Sequence, residues 1–229
     1  MSALPTDQPL TRDQIAQRAA TDVPVGAYAN LGIGMPTLIA DHLEEGRQVT
    51  LHTENGMLGM GPAAHGDQVD SELINAGKIP VTELAGASYF HHADSFAMMR
   101  GGHLDLCVLG AFEVAVNGDL ANWSTGKPGA IPAVGGAMDL ALGARNVWVM
   151  MSMFAKDGTP KLVPELTFPV TGLGCVTRLY TDVATIALRD GRARAFDLHG
   201  ITLEQLRART GLEIEDATRE NTRVSKEDR

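Results

Sequence analysis

One carboxylate in this sequence stands where α/β proteins often do chemistry. Glu54 follows the run VTLHT at 49–53, which is typical of a buried strand, and an Asn-Gly pair comes directly after it. In open α/β sheets ligands bind beyond the carboxyl ends of the strands, so Glu54 is a candidate nucleophile, base or ligand. Gly56, Gly59 and Gly61 would let the backbone approach a bound molecule closely.

A structural role for Glu54 is the alternative, because a glutamate here could also cap a turn or pair with a basic side chain. None of the ten residues that follow it is Lys or Arg. The glycines and this absence of a local partner favour the functional interpretation.

A second glycine-containing turn begins at Asn30, in the segment NLGIGMPT. Gly32 and Gly34 resemble the start of a dinucleotide-binding loop, but Thr37 occupies the third glycine position, so that interpretation is weak. Backbone N–H groups and the Asn30 side chain are better suited to binding a carboxylate or thioester oxygen.

A third candidate is the pair Gly135-Gly136 before Ala137. Consecutive backbone N–H groups in such a turn form a nest that suits an oxyanion. The alternative is an ordinary tight turn that precedes a helix.

Composition excludes several classes of function. The 229 residues carry a net charge of −9, which argues against a nucleic-acid surface. The two cysteines, Cys107 and Cys175, lie in separate apolar runs and indicate a reduced protein without disulfides.

We expect no signal peptide or membrane span, and hence a cytoplasmic protein. His91, His92 and Asp94 do not indicate a metal, because adjacent histidines on a strand point to opposite faces.

Strands that alternate with helices in the first half predict the architecture that positions these residues. We expect an α/β fold with an open, mostly parallel sheet flanked by helices, in one domain spanning 1–229. The N-terminal arm 1–10 and the tail 217–229 are expected to be flexible, and 55–80 is expected to be a long loop. The predicted strands are 27–31, 49–53, 81–84, 104–110, 113–116, 146–151, 176–180 and 184–188. Four helices are predicted. The first begins at Thr11, where Gln14 completes a capping box, and the second spans 36–43. The third runs from a cap at Asp94 or Ser95 through Arg100, and the last spans 202–210.

Together these motifs resemble the B-type half of the family I 3-oxoacid CoA-transferases, over about residues 10–215. The matching segments occur in order along the chain: NLGIGMP (30–36), TENGMLGMGP (53–62), INAGK (74–78), SFAMMRGGHLD (95–105), GDLANW (118–123) and GGAMDLA (135–141). Thr53 stands where many members have Ser, a change that keeps the hydroxyl.

The resemblance implies a site as well as a fold. Glu54 would be the nucleophile, Asn30 would hold a carboxylate or anhydride oxygen, and the N–H groups of Gly136 and Ala137 would hold the thioester oxygen. Lys78 would contact a CoA phosphate, although a plain surface lysine is the alternative.

The resemblance also implies a partner and a substrate. The partner would be a separate chain of related fold, the A-type subunit, in a heterodimer or heterotetramer with the active site at the interface. No cofactor would be bound permanently, and a coenzyme A thioester would be the substrate.

The implied reaction transfers CoA from succinyl-CoA to a 3-oxo acid. The segments at 90–105, 129–145 and 161–165 are most similar to members that use 3-oxoadipate, and acetoacetate is the alternative acceptor. A CoA-thioester hydrolase would share Glu54 but admit water. A sugar-phosphate isomerase would need a basic cluster that the loop around Glu54 does not have. A non-catalytic binding subunit would not need an intact Glu54.

Overall fold

The structure is a computed structural model that describes residues 6–126, 129 and 134–219. Within these ranges it contains thirteen strands and four α-helices. The strands are β1 (Tyr28–Leu31), β2 (Thr50–Thr53), β3 (Met57–Ala63), β4 (Val81–Tyr89), β5 (Leu106–Gly110), β6 (Glu113–Ala115), β7 (Leu120–Ala121), β8 (Val147–Met150), β9 (Leu162–Val163), β10 (Val176–Tyr180), β11 (Ala184–Arg189), β12 (Arg192–Leu198) and β13 (Ile214–Asp216). The helices are α1 (Arg12–Asp22), α2 (His92–Arg100), α3 (Ala137–Gly143) and α4 (Leu203–Thr210).

Ten of the strands form one sheet in the order β13-β12-β11-β10-β8-β5-β1-β2-β3-β4. The five central strands, from β10 to β2, run parallel, while β3, β4, β11 and β12 add antiparallel pairs. A small second sheet has the order β7-β6-β9. The predicted open, mostly parallel α/β sheet is confirmed.

Both faces of the central sheet are buried. In β8, Val147 and Val149 belong to one apolar cluster and Trp148 and Met150 to the other, because successive side chains of a strand point to opposite faces. Ile15 and Ala19 of α1 cover the second face. Strands buried on both faces are expected at the centre of a parallel sheet.

Local signals set the ends of several elements as expected. Thr11 and Gln14 form the predicted capping box of α1, and Thr202 and Gln205 form another at α4. The Asn117-Gly118 pair connects β6 to β7 in an antiparallel hairpin, with Gly118 at φ 88°.

Other expectations were wrong or only partly met. Residues 55–80 are not one irregular loop, because 57–63 form β3, which pairs antiparallel with both β2 and β4. The second helix, expected at 36–43, is present within one residue of those bounds as a 3-10 helix, Met35–His42, with Pro36 in its first turn. Helix α2 begins at His92, before the predicted caps Asp94 and Ser95, because the His91 ring accepts a hydrogen bond from the Ala93 N–H at 3.0 Å.

The chain ends are partly ordered by packing. Leu10 is buried, its N–H donates to the Asp182 carbonyl at 2.7 Å, and the Gly200 N–H donates to the Thr6 carbonyl. Ala217 is also buried and donates to the Ala195 carbonyl. These contacts attach part of the arm and of the tail to the domain, and the expected flexibility of 1–10 and 217–229 stays a prediction, with 1–5 and 220–229 lying outside the described residues.

Candidate active site

Glu54 lies just beyond the C-terminal end of β2, in a turn held by the strand's last residue. The Thr53 hydroxyl accepts a hydrogen bond from the Met57 N–H at 3.0 Å, and the Gly56 N–H donates to the Thr53 carbonyl at 3.2 Å. Gly56 has φ 111°, and a Cβ atom there would overlap the Phe90 carbonyl oxygen. Glycine is therefore required at this position, in the turn that holds Glu54.

A cavity of about 650 Å³ opens at this end of the parallel strands. The five site residues expected from the sequence all line it: Asn30, Glu54, Lys78, Gly136 and Ala137. They come from the C-terminal end of β1, from the turn after β2, from the segment before β4, and from the start of α3. The fold thus brings together residues that are separated by more than 100 positions in the chain.

The Glu54 carboxylate has no polar partner among the described residues. It makes no hydrogen bond or ion pair within the part of the chain that the structure describes, and its side chain is half-buried. The interpretation of Glu54 as an ion-pair partner is therefore not supported. A half-buried carboxylate without a partner at a cavity wall is available for a ligand or for reaction.

Gly136 lies directly against this carboxylate. A Cβ atom at Gly136 would collide with Glu54 Oε2 and lie 2.9 Å from its Cδ. Gly136 has φ −87°, which any residue adopts, so the need for glycine here comes from the contact with Glu54 and not from backbone strain.

The two predicted backbone donors, the N–H groups of Gly136 and Ala137, differ in whether another group of the protein already accepts from them. The Ala137 N–H donates to the Val134 carbonyl at 3.1 Å, within a turn. The Gly136 N–H makes no hydrogen bond among the described residues. Of these two N–H groups, only that of Gly136 is therefore without a partner among the described residues.

The Asn30 side chain is held by a histidine that the sequence had not identified. Its Nδ2 atom lies 3.0 Å from His52 Nδ1 and 3.1 Å from the His52 carbonyl oxygen. Both amide hydrogens are therefore directed at His52, and donation to a substrate oxygen would require releasing one of them. The remaining atom, Oδ1, is a hydrogen-bond acceptor.

Lys78 lies at the cavity rim in a constrained turn. It has φ 61°, which is uncommon for a residue with a side chain. The Asn75 side chain accepts hydrogen bonds from the Gly77 and Ile79 N–H groups, and the Asn75 carbonyl accepts one from Lys78. Backbone strain of this kind is concentrated at functional sites.

His52, Ser95 and Phe96 are near the site but were not among the expected residues. His52 Nε2 lies 3.0 Å from Ser95 Oγ, and the Phe96 ring lies close to Gly136. His92, which also lines the cavity, packs against Phe96 with ring centroids 4.9 Å apart. The only local signal for His52 was its place two residues before Glu54, and its partners are distant in sequence.

Comparison with known proteins gives the family. The chain matches the family described as Coenzyme A transferase over residues 12–202. It is 57% identical over 210 residues to the B-type subunit of 3-oxoadipate CoA-transferase from Acinetobacter baylyi, covering 91% of this chain and 97% of that protein. It is 45% identical over 205 residues to the B-type subunit of succinyl-CoA:3-ketoacid coenzyme A transferase from Helicobacter pylori, covering 89% of this chain and 98% of that protein.

Solved structures share the fold. The crystal structure of an acyl-CoA transferase apoenzyme from Escherichia coli O157:H7 superposes with a TM-score of 0.68 at 19% identity, over 93% of this chain and 43% of that one. The present chain therefore spans less than half the length of that solved protein. With the sequence match over residues 12–202, this places the chain in the coenzyme A transferase family of enzymes.

Proposed function

We propose that this chain is the B-type subunit of a two-subunit CoA-transferase that moves CoA from succinyl-CoA to a 3-oxo acid, with Glu54 as the nucleophile. The observation that carries the proposal is the carboxylate of Glu54, which has no partner among the described residues and lies at the wall of a cavity of about 650 Å³. The names of the Acinetobacter and Helicobacter relatives suggest the substrates.

In the first half-reaction a Glu54 carboxylate oxygen attacks the thioester carbonyl carbon of succinyl-CoA. The C–S bond breaks, which leaves a succinyl-glutamyl anhydride and the CoA thiolate. The thiolate then attacks the Glu54 Cδ atom, and succinate leaves as a carboxylate. Glu54 now carries CoA as a thioester, an intermediate of covalent ping-pong catalysis.

In the second half-reaction the carboxylate of the 3-oxo acid attacks the same Cδ atom and releases CoA thiolate. The thiolate attacks the acyl carbon of the new anhydride, which forms the product thioester and restores the Glu54 carboxylate. Water must be excluded throughout, because it would hydrolyse the anhydride.

The residues around Glu54 would stabilise and bind the reacting groups. We assign the free Gly136 N–H to the oxyanion that forms when the thioester carbonyl is attacked, with Ala137 contributing if its turn opens. Asn30 would contact the substrate from the C-terminal end of β1, the parallel neighbour of β2. Lys78 would bind a CoA phosphate, because it is an exposed basic side chain among the residues that line the cavity.

A second chain would complete the site. Two apolar side chains at the cavity, Ile33 and Phe112, are 72% and 39% exposed. Exposed apolar groups around the mouth of a cavity are typical of a surface that a partner covers, and an A-type subunit seated there would also exclude water. In line with its two free thiols, we place the complex in the cytoplasm.

The test is to co-express the chain with its A-type subunit, mix the complex with succinyl-CoA and examine the Glu54 peptide by mass spectrometry. We expect a CoA adduct on Glu54, and loss of the adduct after borohydride reduction. Glu54→Gln should abolish the adduct and lower turnover by about 10⁴-fold or more, the scale of losing a nucleophile. Glu45→Gln, at an exposed position, is the matched control. Retention of most turnover by Glu54→Gln would overturn the proposal.

Acceptor assays decide the substrate. Turnover with 3-oxoadipate well above that with acetoacetate would support the dicarboxylate as acceptor. The reverse order would make acetoacetate the substrate. Thioester loss without any acceptor, at a rate that no acid increases, would indicate a hydrolase.

A further inference from the structure

A buried chain of hydrogen bonds connects Asn30 to the peptide group before Glu54. Asn30 Nδ2 lies 3.0 Å from His52 Nδ1, His52 Nε2 lies 3.0 Å from Ser95 Oγ, and Ser95 Oγ lies 3.0 Å from the Thr53 carbonyl oxygen. Asn30, His52 and Ser95 are 3%, 1% and 0% exposed. Because polar groups buried this deeply must be paired, each bond in the chain constrains the next.

The direction of each hydrogen bond in the chain follows from the group at its end, the Thr53 carbonyl. The Thr53 carbonyl can only accept, so the Ser95 hydroxyl donates its one hydrogen to it. Ser95 Oγ must then accept from His52, which places a hydrogen on Nε2. Burial lowers the pKa of His52 to about 4, despite an opposing hydrogen bond with Ser95, so the ring is neutral at pH 7. Its Nδ1 atom therefore has no hydrogen and accepts from Asn30.

The same geometry fixes the Asn30 amide. If the amide were rotated by 180°, Oδ1 would face two acceptors, the bare His52 Nδ1 and the His52 carbonyl oxygen, at 3.0 and 3.1 Å. That arrangement is repulsive, so Oδ1 points away from His52. It has no partner among the described residues and is not enclosed, which leaves it open to the cavity that Asn30 lines.

We propose that His52 and Ser95 are positioning residues, which hold the Asn30 amide with Oδ1 toward the cavity and hold the Thr53–Glu54 peptide plane beneath the nucleophile. Neither residue touches the reacting atoms. The inference rests on the proposed function for its catalytic readout. It also defines the ligand group that meets Asn30 as a hydrogen-bond donor, such as an amide N–H of the pantetheine arm of CoA.

The decisive comparison is between two substitutions of His52 in the complex with the A-type subunit. Glutamine presents a carbonyl oxygen to Asn30 and an N–H to Ser95, which reproduces the donor and acceptor of the neutral ring. Methionine fills a similar volume without a hydrogen-bond donor. We expect His52→Gln to keep kcat within about threefold and His52→Met to lower it by about 10²-fold, the scale of misplacing a reacting group. His65→Gln, at an exposed position, is the control.

A substitution of Ser95 separates a positioning role from a purely structural one. Ser95→Ala should lower the rate of CoA adduct formation on Glu54 by about tenfold with a smaller change in KM, because the peptide plane before Glu54 loses its hydrogen-bond donor and the His52 Nε2–H loses its acceptor. Equal kcat values for His52→Met and His52→Gln, both folded, would overturn the inference.

A spectroscopic test is independent of activity. In the wild-type complex with ¹⁵N-labelled imidazoles, we expect His52 to show a protonated Nε2 and an unprotonated Nδ1 from pH 8 down to pH 5. A proton on Nδ1 in that range would overturn the inference even if all variants failed to fold. If the wild type formed no CoA adduct while this tautomer was observed, the proposed function would fail and the hydrogen-bond chain would stand.

Discussion

The Glu54 carboxylate lies over the backbone of Gly136, at a distance that leaves no room for a Cβ atom. Gly136 precedes α3, whereas Glu54 follows β2, so the contact joins two parts of the fold that are 82 positions apart. The nucleophile, in the proposed mechanism, is therefore placed by its packing against a glycine as much as by its own turn.

Gly136→Ala should lower kcat while leaving the fold intact. The added methyl group would collide with Oε2 and displace the carboxylate, although the backbone at φ −87° tolerates alanine. We expect a loss in kcat of about 10²-fold, measured in the transferase assay, with little change in Tm. Gly46→Ala, where a methyl group meets open space, should behave as the wild type. Full activity in Gly136→Ala would show that the contact is not required.

Lys78→Gln should weaken substrate binding. Loss of the cation at the cavity rim removes one charge-assisted hydrogen bond to a phosphate, worth about 1.5 kcal/mol or more. We therefore expect the KM for succinyl-CoA to rise by about tenfold, with kcat nearly unchanged, in steady-state kinetics. Lys156→Gln, at an exposed lysine outside the cavity, is the control. If KM rises equally in both variants, Lys78 has no specific role.

The stability of the protein should depend on the protonation of His52. Burial lowers its pKa in the folded state to about 4, below the usual 6.5, so between these values the unfolded chain binds a proton that the folded chain does not. Stability from this group is therefore present above about pH 6.5 and is lost as the pH falls toward 4. Relative to His52→Gln, the wild type should lose about 3 kcal/mol between pH 7 and pH 4 in urea unfolding. Parallel curves for the two proteins would contradict this.

Asp22→Asn should be strongly destabilising. The Asp22 carboxylate, with its side chain 4% exposed, pairs with Arg18 at 2.9 Å and Arg178 at 2.7 Å, and accepts from the Tyr180 hydroxyl. Removing this charge leaves two buried guanidinium groups poorly compensated, which costs about 3–5 kcal/mol. Urea unfolding should show this loss.

Glu215→Gln serves as the control for Asp22→Asn. It removes one charge from exposed pairs with Arg192 and Arg194 and should cost less than about 1 kcal/mol. Similar losses in the two variants would mean that burial of the Asp22 cluster is unimportant for stability.

Prediction from sequence succeeded where a signal lies within a few residues. The capping box at Thr11, the hairpin turn at Asn117-Gly118 and the strand that ends at Glu54 all follow from local chemistry. It failed for β3, whose glycine-rich sequence MLGMGPA is typical of a loop and becomes a strand through pairing with β2 and β4. Strands β12 and β13 were also missed, because polar residues interrupt their patterns.

The sequence by itself determined which carboxylate stands at a strand end among glycines, and which residues share its family motifs. Only the tertiary structure decided that Glu54 has no ion-pair partner among the described residues, that it lies against Gly136, and that Asn30 is held by His52 and Ser95. The physical reason is distance along the chain. Contacts between residues 22 to 82 positions apart depend on how strands and helices pack together, and local propensity carries no information about that packing.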